Sequence, residues 1–316
     1  MAFLVRLILS AFVALCSLQA MASEPRTKVV VNGSMAPVYF NDGDTFRVLS
    51  GALSGTKARL EGFNTLESFG PVHQWGTWAQ RELYVNAKAA TLFARRGIWR
   101  CSWDRRVDGY GRGLFKCPEL AVHQIRAGFA HAMTVTADPS PDLYLEAQRD
   151  AIKHRRGMWA GGVPKYVLTS LHSVDEKPNQ DWAYNRLVST HDGHSERWIH
   201  RETYGECTNV CVDEVEIDSQ TLRSAKAQLD TNDSLVAWRG LTARKQVEVF
   251  EIWLMVRTVS AHIPKPERDV MAAALTELVS SGLLMAANTR PGGCMIYTDY
   301  RRRFGGGKAR CLKLER

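Results

Sequence analysis

Four short polar elements in the first half of the chain bring together residue types that can act on a phosphodiester: Asp42-Gly43-Asp44-Thr45, Arg59, Asn64-Thr65-Leu66-Glu67 and Tyr110-Gly111-Arg112-Gly113. Carboxylate and carbonyl oxygens suit a hard cation such as calcium, and arginine forks match phosphate oxygens bidentately. A phosphodiester centre needs a cation and guanidinium groups around the developing charge, and a base that orients water. Each element also has a plainer reading. Asp-Gly is a common hairpin signal, Arg59 and Glu67 could form an ordinary salt bridge, and Arg112 could be a solvated hairpin charge. Three histidines, His191, His194 and His200, raise a separate metal question; gaps of three and six residues match no established ligand spacing, and they read as polar surface.

The elements that must hold these residues follow from periodicity and turn chemistry. Residues 29–48 are rich in Val, Tyr, Phe and Thr and broken by Asn32-Gly33 and Asp42-Gly43, the pattern of short strands joined by tight turns. A further strand over 57–63 carries Arg59. The spacing of Ala79, Leu83, Ala87, Ala90 and Ala94 predicts a helix over 77–96, stopped by Gly97. A hairpin spans 98–116, a short helix over 120–127 ends at Gly128, and Pro141-Asp142 opens a third helix that runs to Arg156. These elements point to a small α+β domain on a closed or nearly closed antiparallel sheet, residues 27–162. Gly161-Gly162-Val163-Pro164 and the polar stretch 173–185 read as a linker over 163–190. Beyond it, Thr242 can cap a helix running to about Ala261, with Trp253 in the core, and Pro266 opens another through Met285. Residues 191–316 are therefore expected to form a mainly helical domain.

The hydrophobic share, 45% of 316 residues, supplies a sizeable core for roughly two domains and excludes a disordered or collagen-like chain. Arg6 followed by the apolar run 7–18, then Ala20-Met21-Ala22, reads as a secretory signal cleaved after Ala22. That run is too short to span a bilayer with margin, so no stable membrane insertion is expected after cleavage. Cys16 would leave with the signal, and an even set of six cysteines remains in a compartment that permits disulfides, periplasmic or secreted. Cys101 and Cys117 flank a turn about Gly109 and would face each other across a hairpin. For Cys207, Cys211, Cys294 and Cys311 three connectivities stay open, 207–211 with 294–311 being the most local. The formal charge of +8 favours anionic partners, and it is concentrated: residues 290–316 hold eight basic and two acidic side chains. A turn at Gly305-Gly306-Gly307 would make this tail a basic hairpin, either solvated or in contact with nucleic acid.

Over about residues 38–159 the four ordered elements, with Gly157-Met158-Trp159 at the end, resemble the staphylococcal nuclease (thermonuclease) family. The resemblance implies an OB-fold five-stranded barrel with three helices and a Ca2+-assisted phosphodiesterase site. It implies that Asp44, Asn64 and Thr65 are metal ligands, the last through its carbonyl, that Arg59 and Arg112 bind phosphate, and that Glu67 is the general base. Tyr110 and the tail cations Arg301, Arg302, Arg303, Lys308 and Arg310 are candidate nucleic-acid contacts. Water oriented by Glu67 would attack phosphorus in line, with both arginines countering the developing charge.

Three positions depart from the family pattern. Asn64 stands where the family has aspartate, which keeps one oxygen ligand and removes a charge. Leu66 replaces a proline, and Met133-Thr134-Val135-Thr136 replaces a tyrosine-rich stretch and removes stacking surface. Two functions follow. One is an exported calcium-dependent nuclease of low sequence specificity, with DNA and RNA as candidate substrates. The other is a catalytically weakened module of the same fold that binds nucleic acid or a protein partner.

Overall fold

The computed structural model describes residues 27–68 and 72–299, together with Ala309 and Cys311. The expected signal segment, the glycine turn of the tail and Arg301, Arg302, Arg303, Lys308 and Arg310 lie outside the described residues. Among the described residues the chain is mixed α+β.

Strands β1 (Thr27–Val31) and β2 (Ser34–Phe40) form an antiparallel hairpin. Its turn is Asn32-Gly33, with φ of 48° and 87°, the pair of positive values that a two-residue hairpin of this hand requires. β3 (Thr45–Val48) and β4 (Lys57–Leu60) continue the meander. β7 (Ile98–Val107) and β8 (Gly113–Lys116) then close it: β8 pairs parallel with β4, and β7 pairs parallel with β1. The closed barrel thus has six strands rather than the expected five. Closure leaves no open edge, and the interior is filled by Val29, Phe40, Phe46, Leu60 and Phe115, with Phe46 edge-on to both other rings at 5.3 Å. Helices α1 (Gln80–Arg96), α2 (Pro118–Arg126) and α3 (Asp142–Lys153) accompany it. The predicted stripe of α1 is buried at Leu83, Ala87, Ala90 and Ala94. Cys101 and Cys117 are disulfide-bonded, as the hairpin pairing of Ser102 with Lys116 allows.

A short pair, β5 (Phe63–Thr65) and β9 (Ala130–Ala132), lies outside the barrel. The strand β6 (Val72–Gln74) takes no part in the barrel. It joins β13 (Asn209–Glu216) and β14 (Asn288–Ile296) in a sheet of order β13-β14-β6, with Met295 opposite His73.

The segment read as a linker is folded. Within 163–190 lie β10 (Tyr166–Ser170) and β11 (Ala183–Ser189), which with β12 (Ser195–His200) form an antiparallel sheet. Its polarity misled because buried polar groups here are satisfied internally. Asn185 is fully buried, accepts from the His172 N–H at 3.0 Å and donates to the Tyr204 hydroxyl at 3.0 Å. Residues 191–316 are likewise mixed rather than mainly helical, since among the described residues three strands, β12, β13 and β14, accompany α4 (Ser219–Asp230), α5 (Val236–Gly240), α6 (Ala243–Val256) and α7 (Arg268–Ser280).

Thr242 caps α6 as expected, but the helix stops five residues early, at Arg257 in the left-handed region (φ 53°). α6 is buried on two faces: Val249, Phe250 and Trp253 pack among the helices, and Ile252 and Val256 pack on the sheet of β13. The remaining disulfides are Cys207–Cys311 and Cys211–Cys294 rather than the local pairing. Cys211 and Cys294 are directly opposite on β13 and β14, so register outweighs sequence proximity. Because β14 is flanked by β13 and β6, the expected tail hairpin cannot use Ile296 as a free strand edge. Among the described residues no helix is long and apolar enough to cross a membrane.

His73 makes the junction of the two halves sensitive to acid. It is 2% exposed, and burial, reinforced by the nearby His131, pushes its pKa down to about 3. An unfolded histidine titrates near 6.5. Between these values the unfolded chain binds the extra proton, so stability is complete above about pH 6.5 and falls as pH drops toward 3, by at most about 1.4 kcal/mol per pH unit from this group. Urea unfolding between pH 6.5 and 5 should show this slope reduced by close to one proton in His73→Gln. An unchanged slope would show that His73 protonates without unfolding the junction.

Candidate functional site

The site begins at a close approach. A Cβ on Gly43 would meet Thr65 Cγ2 at 2.5 Å and Ala90 Cβ at 3.0 Å, so only glycine lets the Asp42-Gly43-Asp44 turn pack against β5 and α1. The Asp44 N–H donates to Asp42 Oδ1 at 3.1 Å, and the Gly43 carbonyl accepts from Gln124 at 2.8 Å, which fixes the turn. Asp44 then enters at the head of β3 with 2% exposure.

Its carboxylate is the hub. Oδ1 accepts from the Arg59 guanidinium and, at 3.1 Å, from the Thr45 hydroxyl. Oδ2 accepts from the Thr65 N–H at 2.8 Å and its hydroxyl at 3.3 Å. Arg59 sits on β4 opposite Thr45 and donates its other arm to Asn64 Oδ1 at 2.6 Å. Asn64 donates to the Thr65 carbonyl at 2.9 Å. Asp44, Arg59, Asn64 and Thr65 are therefore brought together as the sequence suggested. Glu67 follows β5, half-buried, close enough that its charge acts on both Asp42 and Arg59.

The electrostatics are those of a carboxylate-rich pocket. Burial, then the charges of Asp44 and Glu67, push the Asp42 carboxyl well above the usual carboxylate range. Burial alone would lower the Arg59 pKa, but Asp44, Asp42 and Glu67 outweigh it and raise it. His131 lies on β9 opposite Asn64, and burial lowers its pKa to about 4. Its Nδ1 faces the Ala132 carbonyl at 3.1 Å, which assigns the proton there and leaves Nε2 to face Asn64 Nδ2 at 3.4 Å. Asp42 and His131 are participants that the sequence reading did not assign. The first was visible in the Asp-Gly turn; the second depends on the β5–β9 pairing and has no local signal.

Arg112 is held elsewhere. Its Nε donates to Asp108 Oδ2 at 2.7 Å within the β7–β8 turn, and its guanidinium lies 5.5 Å from the Tyr110 ring. Tyr110 is 66% exposed and borders a small cleft with His172, Trp182 and Tyr184 of the second half. Other arginines, absent from the sequence reading, gather on the second half, and one of them, Arg186, lies within electrostatic reach of Arg59. Arg186 and Arg197 are cross-strand partners on β11 and β12, 5.8 and 5.2 Å from the Tyr184 ring. With Arg257 and Arg268 they line a cavity of about 570 Å³ that also includes Thr136. Burial lowers the Arg186 pKa, and the like charges of Arg197 and Arg59 add to that, so the cavity and the hub share one field. Of the three histidines read as polar surface, only His191 is exposed; His194 and His200 are buried.

No protein-family model matches the chain, and no curated protein is similar to it.

Asp44 holds β3, β4 and β5 together, so its removal should be costly. Asp44→Ala would leave Arg59, whose side chain is 19% exposed, without its carboxylate and the Thr65 N–H without an acceptor. Breaking such a pair costs about 3–5 kcal/mol. Denaturant unfolding should show that loss, and a smaller one for Asp44→Asn, which keeps an acceptor. A loss below about 1 kcal/mol for the alanine variant would remove Asp44 from this structural role.

Proposed function

We propose that this chain is an exported, calcium-dependent nuclease of the staphylococcal nuclease type, hydrolysing nucleic-acid phosphodiester bonds with low sequence specificity. On this reading the closed barrel is an OB-fold barrel, and the three disulfides suit a periplasmic or secreted setting. The observation that carries it is the convergence of Asp44, Arg59, Asn64 and Thr65 in one buried hub, with the charge of Glu67 acting on it.

The donor set fits a hard cation: a carboxylate from Asp44, an amide oxygen from Asn64 and the Thr65 carbonyl, with Glu67 supplying further negative charge. Bound calcium would supply charge stabilisation for a phosphoryl oxygen. Arg59 would bind the same phosphate, and Arg112 would reach it by leaving Asp108. Glu67 would orient the attacking water and accept its proton. The cavity lined by Arg186, Arg197, Arg257 and Arg268 would take the flanking backbone, reading charge rather than bases.

A second reading rests on where the arginines are. Arg59 spans Asp44 and Asn64, and Arg112 pairs with Asp108, an arrangement that also suits a module that binds nucleic acid without cutting it.

The deciding experiment incubates the purified protein with single- and double-stranded DNA and RNA, with calcium and then with chelator. Cleavage should need calcium. Turnover should fall at least about 100-fold in Glu67→Gln and about 100- to 1,000-fold in Arg112→Ala. Arg186→Ala with Arg197→Ala should instead raise KM and flatten the salt dependence of binding, with kcat nearly unchanged. Binding without cleavage of any of these substrates would establish the second reading in place of the first.

A further inference from the structure

A second cluster lies in the C-terminal half, on elements with no part in the hub described above. His194 and Glu196 come from the start of β12, Glu248 from α6, and His262 from the loop after α6. All four are buried: His194 and Glu196 completely, Glu248 to 4% exposure and His262 to 9%. One ligating atom each from His194, Glu248 and His262 lies within 4.8 Å of the others.

Two contacts inside the cluster are short, the His262–Glu248 one being a hydrogen bond, while Glu196 stays outside the mutually close set of three. His194 Nε2 is 3.4 Å from Glu196 Oε1, and His262 Nε2 is 3.0 Å from Glu248 Oε2. Ligands around a tetrahedral zinc at about 2.0–2.1 Å are separated by about 3.3 Å. Beyond that 3.4 Å contact with Glu196, His194 Nε2 makes no hydrogen bond among the described residues, although its ring is wholly buried.

Three members of the cluster are also held from behind. His194 Nδ1 faces Asp192 Oδ1 at 2.5 Å, which turns Nε2 inward in the carboxylate–histidine arrangement that commonly backs a metal ligand. Glu196 accepts from the Ser260 hydroxyl and, at 2.6 Å, from the Ala261 N–H. Glu248 Oε1 is paired with Arg244 Nε at 3.0 Å. Outer partners that fix ligand orientation distinguish a built site from a chance meeting of charges.

We propose that His194, Glu248 and His262 form a structural zinc site that fastens the strand end at β12 to α6 and to the loop that follows it, with Glu196 beside His194 as an outer partner. Two imidazole nitrogens with one carboxylate suit a borderline divalent ion such as zinc; calcium takes six to eight oxygens and magnesium an oxygen octahedron. Glu248 as ligand and Glu196 as outer partner balance the ion's charge. A cavity of about 270 Å³, lined in part by Lys165, Tyr166, Arg244 and Glu248, offers an entry path on one side. All six described cysteines are in disulfides, so thiolates do not compete for the ion. The site stands independently of the nuclease reading.

The test uses the full chain, stripped with chelator and dialysed, then titrated with zinc and separately with cobalt(II). Binding of one equivalent of zinc, with the intense visible absorption of four-coordinate cobalt, is expected, and calcium should not displace either ion. Outer partners alone are worth 10- to 100-fold in metal affinity, so loss of a ligand in His262→Gln or Glu248→Gln should cost at least about 100-fold. His191→Gln, an exposed neighbour, should bind as the parent does. Absence of the cobalt absorption in the parent protein would overturn the proposal whether or not the variants fold. So would an absorption that survives loss of His194 or His262, or one abolished by His191→Gln.

Discussion

The carboxylate of Asp44 ties three strands of the first half to one another. It takes the Arg59 guanidinium from β4 and the Thr65 N–H and hydroxyl from β5, and it stands itself at the head of β3. Its burial would be prohibitive without those donors. Gly43 makes the approach sterically possible, and Gln124 holds the turn from the helix side. Other features of the hub follow from this one charge. Burial first, then the charges of Asp44 and Glu67, hold Asp42 toward its neutral form, and Asp44 heads the charges that outweigh burial and keep Arg59 a cation.

The two halves are one folded unit by a different device. β6 leaves the barrel region to pair with β14, and beside it Leu66, Trp75, Met158 and Trp159 share a core with Val167 of β10. Trp75 and Trp78 both donate to the Met158 carbonyl, at 3.2 and 3.0 Å. A chain segment that reads locally as the exit from one domain is therefore the packing surface of the next. The same junction brings Arg186 within the field of Arg59, so the arginine cavity and the hub are neighbours by construction.

Sequence could show what is local or periodic. The Asn32-Gly33 turn, the buried stripe of α1, the Cys101–Cys117 bridge and the Thr242 cap all depend on neighbours in the chain. So does the grouping of Asp44, Arg59, Asn64 and Thr65, whose elements follow one another along the meander. What stayed hidden depends on pairing between distant segments. β10 and β11 resembled a linker because Asn185 and its partners satisfy one another inside the fold. His131 is set beside Asn64 only by the β5–β9 register, and Cys211 faces Cys294 only by that of β13 and β14. His194 and His262 are 68 positions apart, and no ligand spacing could have joined them.

The two clusters solve one physical problem in different ways. Buried carboxylates need positive charge, and the barrel hub supplies it with arginine, which keeps its proton at any accessible pH. Arg59 occupies Asp44 and Asn64 together, so on the proposed reading a cation at those oxygens competes with the guanidinium for the same lone pairs. A phosphate that draws Arg59 outward would relieve that competition, and by linkage a cation at Asp44 would favour phosphate on Arg59. The C-terminal cluster uses imidazoles instead, whose nitrogens can each exchange a proton for an ion. On the two proposals, a guanidinium suits a centre that would be remade at each turnover, whereas imidazoles held from behind by carboxylate and backbone suit one that would be filled once and retained.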